Sequence, residues 1–168
     1  MVAAARAVPC PFGRTVEVRA WSATIEPDAA EPAASAAHPL ADNAYGVLIA
    51  LPPTPSDSEQ DLRAGVTWFL GRLTGRSRPF LDAQEWWVRA ADGRDWFVTV
   101  HSPLYPPEHS RHWPLPRPAV LLVPKRAIDE LFPAGIPIDV RKMVRSAFGR
   151  AGQRYPVVPG AVASVFHD

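Results

Sequence analysis

Apolar positions along the chain fall into two periods. Thr15 to Ile25, TVEVRAWSATI, is rich in β-branched and aromatic residues and partly alternates, which predicts a strand with Val16, Val18 and Trp21 inward. AYGVLIALPP is a continuous apolar run stopped by two prolines, the mark of a central strand covered on both faces. SDSEQDLRAGVTWFLGRLTG changes to helical spacing: Leu62, Val66, Phe69, Leu70 and Leu73 share one face, Ser56 with Glu59 makes a capping-box pattern, and Gly75 follows as a stop. EWWVRAADGRDWFVTV predicts a hairpin, with Asp92-Gly93 in a type I′ turn between two strand-forming runs. RPAVLLVPKRAIDELF predicts a short buried strand and a short helix. DVRKMVRSAFGRAG predicts a last helix with Asp139 as N-cap, a stripe of Val140, Met143, Val144, Ala147 and Phe148, and Gly152 beyond its end.

Residues Glu26 to Asn43 lack apolar periodicity and are expected to form a surface excursion. The order β, β, α, β, β, loop, β, α, α argues for a single α+β domain over residues 1-168, with a mainly antiparallel sheet of about five strands and helices packed on one side.

Composition narrows the function classes. A chain of 168 residues buries a core without disulfides or a structural metal. Its 18 basic and 17 acidic residues are mixed along the sequence, so neither a nucleic-acid footprint nor a membrane-binding surface is visible, and a small-molecule partner is expected. Cys10 is the single cysteine, which rules out an intramolecular disulfide and is expected to be structural. The start, MVAAARAVPCPFG, lacks the apolar core of a signal peptide, and no apolar run approaches the roughly 18 residues of a membrane span, so a cytoplasmic location is expected.

Candidate chemistry is concentrated in HSPLYPPEHSRHWP, His101 to Pro114, which carries three of the chain's five histidines among four prolines. The loop leaves a predicted inner strand, so His101 stands on a rigid base, as binding residues commonly do. The spacing H-x7-H-x2-H matches neither HExxH nor a zinc finger, and caps or ring stacking explain histidines in such a loop equally well. Imidazole is also a common axial ligand of haem iron, needing one protein ligand and an aromatic slot. Trp68, Phe69, Trp86, Trp87, Trp96, Phe97, Tyr105 and Trp113 supply material for one, although ordinary core packing accounts for many aromatics of this kind. No G-x-S-x-G, P-loop or G-x-G-x-x-G is present.

PCPFGR near the N-terminus, AYGVLIALPP before a helix bearing WFLGRL, and WFVTVHSPLYPPEHSR together resemble the YqcI/YcgG-like family over roughly residues 8 to 150. That family contains haem-dependent N-hydroxylases acting on guanidine groups of arginine and related amino acids. The resemblance places Cys10 and Phe12 in the first motif, Phe97 and Val98 in the strand, and Pro103, Ser110 and Arg111 in the loop. The family's loop histidine falls on Tyr105 in one gapless alignment and close to His101 in another. The chain is shorter than the family pattern and lacks its aromatic-basic ending, so loss of catalysis is compatible with the resemblance.

The resemblance implies a haem-binding oxygenase that N-hydroxylates an amino-acid or guanidine-like metabolite, with an electron donor as a further partner. His101 is the lead iron ligand, with His109 and Tyr105 as substitutes and Trp96 in the haem pocket. Arg111 binds a haem propionate or a substrate carboxylate, because its planar fork matches a carboxylate. Glu108 or Glu85 faces a cationic nitrogen. The alternatives are a non-catalytic small-ligand or protein-binding module whose His/Pro/Trp loop is a recognition surface, and a metal enzyme using His101, His109 and His112.

Overall fold

The computed structural model describes residues 8–9, 18–22, 46–51, 58–74, 87–89 and 93–155. Five strands, β1 (Val18–Ser22), β2 (Gly46–Ala50), β3 (Trp87–Arg89), β4 (Asp95–His101) and β5 (Ala119–Pro124), form one sheet in the order β1-β2-β5-β4-β3. β2, β5, β4 and β3 pair antiparallel, and β1 adds to β2 in parallel. The α+β arrangement with a mainly antiparallel sheet is therefore the observed one. The expected inward side chains of β1 and the excursion 26–43 lie outside the described side chains and residues.

Directly opposed residues of an antiparallel pair share a face of the sheet, and neighbours along a strand alternate. The register Val98↔Leu122, Val100↔Val120 and Ile49↔Val120 therefore places these residues on one face, together with Trp96. Phe97, Thr99 and His101 lie on the other, in register with Val123, Leu121 and Ala119. Leu48, Ile49, Ala50 and Leu51 are all buried, as expected of a strand covered on both sides.

The first face is covered by α1 (Glu59–Thr74), whose Leu62, Val66, Phe69 and Leu70 join Ile49, Leu51, Trp96, Val98, Val100, Val120 and Leu122 in the main core. Full burial of an aliphatic or phenyl side chain contributes about 1.5–3 kcal/mol, so this face carries most of the hydrophobic stabilisation. The described cap is Ser58: its Oγ accepts from the Asp61 N–H at 3.2 Å and donates to the Asp61 carboxylate at 2.7 Å. The cap thus sits two residues after the expected Ser56, and Glu59 is the first helical residue, paired with Arg63 on the exposed side. Ser56, Gly75 and the Leu73 side chain lie outside the described residues and side chains.

β3 and β4 pair antiparallel as the hairpin requires, and Asp92 of its expected turn lies outside the described residues. The last described pair is Arg89↔Asp95, leaving residues 90–94 between the strands, and Gly93 there takes φ +82°, a left-handed conformation that glycine adopts without a Cβ clash. β5 runs directly into α2 (Lys125–Leu131), a short helix against the end of the sheet that buries Ala127.

α3 (Ile138–Arg150) starts after Pro137, so Asp139 lies inside the first turn, without a capping hydrogen bond, where a carboxylate still favours the helix dipole. Only Phe148 of its expected stripe is buried. Val140, Val144 and Ala147 are half-buried, and Met143 is exposed. Ala151 ends the helix and Gly152 follows at φ +75°, with Gln153 N–H donating to Phe148 O and Gly152 N–H to Gly149 O. This is the Schellman pattern, and the left-handed residue is where the sequence predicts it. No helix among the described residues is long and apolar enough to cross a membrane.

Candidate functional site

The second face of the sheet meets the loop after β4 rather than a helix. Ser102 is the hub of that loop. Its N–H donates to Arg111 O at 3.2 Å, its carbonyl accepts from Tyr105 N–H and Trp113 N–H, and its Oγ accepts from Leu104 N–H. One buried serine thereby closes a ring of backbone from 102 to 113, while the prolines restrict φ within it. The far side is pinned by Arg154, whose N–H donates to Glu108 O and whose carbonyl accepts from Ser110 N–H at 3.1 Å. The turn at Gly152 delivers this residue alongside His109 as an isolated parallel bridge.

Inside this frame, His101 is 8% exposed and Arg111 is 6% exposed. Burial of a polar or charged group is costly unless it finds partners; Ser102 and Ser110 are buried beside them, and His101 and Arg111 are the titratable members of this buried set. Desolvation by burial, helped by the Arg111 guanidinium and by His109, lowers the His101 pKa to about 3, so the ring is a neutral imidazole at ordinary pH. Its Nε2 lies 3.4 Å from Thr99 Oγ1, and its Nδ1 is buried without a hydrogen-bond partner among the described residues. Trp113 tilts over the ring, with centroids 6.2 Å apart, and is itself buried with Leu48 and Ala119. Burial lowers the Arg111 pKa, opposed by Tyr105, which hydrogen-bonds it, and by Tyr155. Desolvation raises the Tyr105 phenol above its ordinary value although Arg111 acts against this.

The other loop histidines have different work. His109 stacks on Tyr105 at 4.6 Å, and its Nδ1 accepts from Arg111 N–H at 3.1 Å. Desolvation, then Arg111, lowers its pKa as well. His112 Nδ1 lies 2.7 Å from Tyr105 O, and since a carbonyl only accepts, this nitrogen carries a proton. Both rings brace the loop through Nδ1, and among the described residues no group of three or more His, Cys, Asp or Glu side chains could hold a metal ion.

Four of the expected site residues, His101, Tyr105, His109 and Arg111, therefore come together. Trp96 does not join them. It lies on the α1 face, five positions before His101, about 17 Å along β4. Its ring is held in the core with the Arg94 guanidinium 5.6 Å from the centroid. Glu108 is exposed and meets the loop frame through its carbonyl rather than its carboxylate. Cys10, Phe12, Glu85 and Trp86 lie outside the described residues. The expected single aromatic slot is divided: Trp68 and Phe69 belong with α1 and Trp96, whereas Tyr105 and Trp113 belong with the loop.

Thr99, Ser102, Arg154 and Tyr155 complete the site beyond the residues the sequence offers, while Trp113, expected in an aromatic slot, lies against His101. Thr99 was legible from strand parity with His101. The contacts of residues 154–155, made from beyond α3, had no local signal.

A haem group can be tested against these residues by donor chemistry and space. A neutral imidazole with a buried, unpartnered nitrogen suits an axial ligand, and the Arg111 guanidinium suits a propionate. Trp113 also lines a cleft of about 200 Å³, together with Ala50, Leu115, Pro116 and Arg117. Small-molecule sites commonly enclose about 300–1,000 Å³, and the lining of this cleft includes neither His101 nor Arg111, so among the described residues the donor chemistry suits a haem and the space does not hold one. Comparison with family models, curated proteins and solved structures gives no match to this chain.

Proposed function

We propose that the chain is a haem-binding oxygenase acting on a nitrogen of an amino-acid or guanidine-like metabolite, with His101 as iron ligand. The observation that supports it is the pairing of a buried, neutral imidazole that keeps one unpartnered nitrogen with the buried guanidinium of Arg111. Bound haem would supply oxygen activation, with electrons from a separate donor. The chain's own part is to offer His101 from the end of an inner strand, to hold a propionate or a substrate carboxylate at Arg111, and to keep water out with Trp113. Tyr105 holds the guanidinium in orientation through its hydrogen bond. The resemblance to the YqcI/YcgG-like proteins, carried by WFVTVHSPLYPPEHSR, points the same way.

The test is titration of the purified full chain with haem, followed by absorbance. A saturable Soret shift in the parent that is lost in His101→Ala and kept in His109→Ala supports the assignment. Loss confined to Tyr105→Phe would transfer ligation to the tyrosine. Absence of binding in the parent would favour the second reading, a non-catalytic small-ligand module. That reading is supported by the structural use of His109 and His112 and by the cover that Trp113 gives His101.

A further inference from the structure

We propose that the first two turns of α3 are a docking surface for an acidic segment of a partner protein, with Arg141, Lys142 and Arg145 meeting its carboxylates and Ile136 and Ile138 meeting an aliphatic side chain beside them. The proposal does not depend on haem binding.

α3 is held at one end. Phe148 is its buried residue, with the Tyr155 ring against it at 5.2 Å between centroids. None of residues 138 to 146 is buried. Positions i, i+3, i+4 and i+7 of a helix share a face, and in this stretch they are Ile138, Arg141, Lys142 and Arg145, all exposed. The exposed large apolar side chains of the described residues, Leu131, Ile136, Ile138 and Met143, all fall between the end of α2 and the middle of α3, and Ile138 is the most exposed of them at 67%. Arg141 Nε donates to Ile136 O at 3.2 Å, which lays the arginine stem against the turn and brings Ile136 to the head of the same face.

The bases on this face bring the helix no stability. In α1, Arg63 pairs with Glu59 at 2.7 Å, and in α2, Lys125 pairs with Asp129 at 2.6 Å. Arg141, Lys142 and Arg145 have no ion pair among the described residues, and Asp139 is the single acid of α3. Like charges three and four positions apart destabilise a helix, and Arg141 in the first turn also opposes the macrodipole. Positive charge that costs the helix stability, beside aliphatic side chains left in water, is complementary to carboxylates flanking an apolar residue. Guanidinium forks take carboxylates bidentately, and arginine is enriched at protein interfaces.

Two other anionic partners match this face less well. A helix lying on a lipid surface needs an apolar stripe along its length. Here the face turns basic after Ile138, and Met143 lies about 140° around the axis from it at 3.6 residues per turn. A nucleic-acid backbone offers phosphates but no apolar contact for Ile136 and Ile138, and the whole chain balances 18 bases against 17 acids.

A random peptide library displayed on phage, panned on the purified full chain and counter-selected on Arg141→Gln/Lys142→Gln/Arg145→Gln, tests the surface. Glutamine keeps helix propensity, and circular dichroism checks that the variant folds. Peptides kept by the parent and lost by the variant are expected to be rich in Asp and Glu around an aliphatic residue. The affinity of a selected peptide, read by fluorescence anisotropy, should fall about tenfold in the triple variant, as for three exposed ion pairs. Should that variant unfold, Lys142→Gln and Arg145→Gln singly carry the comparison, each expected to weaken binding about twofold. Binding should also weaken with added salt and fall several-fold in Ile138→Ala, a change that charge attraction alone would not produce. Selected peptides without acidic enrichment, or equal affinity for the parent and the glutamine variants, overturn the proposal. Equal affinity in Ile138→Ala removes the aliphatic contact from it. Vesicles of phosphatidylserine with phosphatidylcholine and a duplex oligonucleotide are titrated in parallel. Tighter binding of either than of the peptide, lost in the same variants, overturns a protein partner in favour of lipid or nucleic acid.

Discussion

β4 sends side chains to both faces of the sheet, and the two sets meet different surroundings. Trp96, Val98 and Val100 point into a core shared with α1 whose buried members are all apolar. Thr99 and His101 point toward Trp113 and a loop in which Ser102, Ser110 and Arg111 are also buried. The α1 face has a helix that satisfies its own backbone, so its interior can be dry. The loop face has irregular backbone, and its polar groups are satisfied one at a time by Ser102, His109 and Arg154. Stability and chemistry are thereby placed on opposite sides of the same strands.

The contrast is broken most severely from the α1 side. Phe69→Ala removes a fully buried ring and is expected to lower unfolding free energy by about 3 to 5 kcal/mol. A denaturant midpoint unchanged by the substitution would show that α1 does not seal that face.

On the loop side the expected signature is pH dependence. The folded His101 pKa is depressed to about 3 against an unfolded value of 6.5. Above pH 6.5 both states hold the ring neutral; below it the unfolded state takes up a proton that the folded state resists, so stability falls as pH drops toward 3. By pH 5 the loss from this group amounts to about 2 kcal/mol. The difference in pH slope between parent and His101→Gln, measured by denaturation from pH 8 to 5, isolates it. Equal slopes would mean that His101 protonates freely in the folded chain.

Arg111→Lys keeps the charge and removes the fork held by Tyr105. A drop of about tenfold in haem or carboxylate affinity is expected, equivalent to about 1.4 kcal/mol. Parent-like binding would reduce the role to positive charge. Least affected should be Lys125→Ala, which breaks an exposed pair with Asp129 within α2 and should change stability by less than about 0.5 kcal/mol. A larger effect would mean that α2 contributes more than its burial suggests.

The sheet was readable because its strands carry period-two or continuous apolar runs, and α1 because Leu62, Val66, Phe69 and Leu70 repeat at helical spacing. Boundaries were less readable: Ser56 and Ser58 are both competent caps, and Asp61 decides for Ser58 by holding its hydroxyl. Met143 fits an amphipathic stripe yet remains exposed, because sequence spacing gives a helix its faces without saying how much of a face has a neighbour. In the candidate site, the burial of His101 and Arg111 was legible from their place after an inner strand in a proline-braced loop. Trp96 lies apart from the loop because strand parity, which aromatic content does not show, sends it to the α1 face. The contacts of Arg154 and Tyr155 could not be read locally, since what brings them to the loop is the direction in which α3 ends.

The clamp at Arg154 gives the molecule a temporal order. Residues 108 to 110 are joined to a residue more than forty positions later, whereas Ser102 closes its ring within about a dozen. Loop-closure entropy favours the shorter ring, and synthesis from the N-terminus makes its residues available first. The positive φ at Gly152 turns the chain after α3, and the longer ring closes two residues later at Arg154.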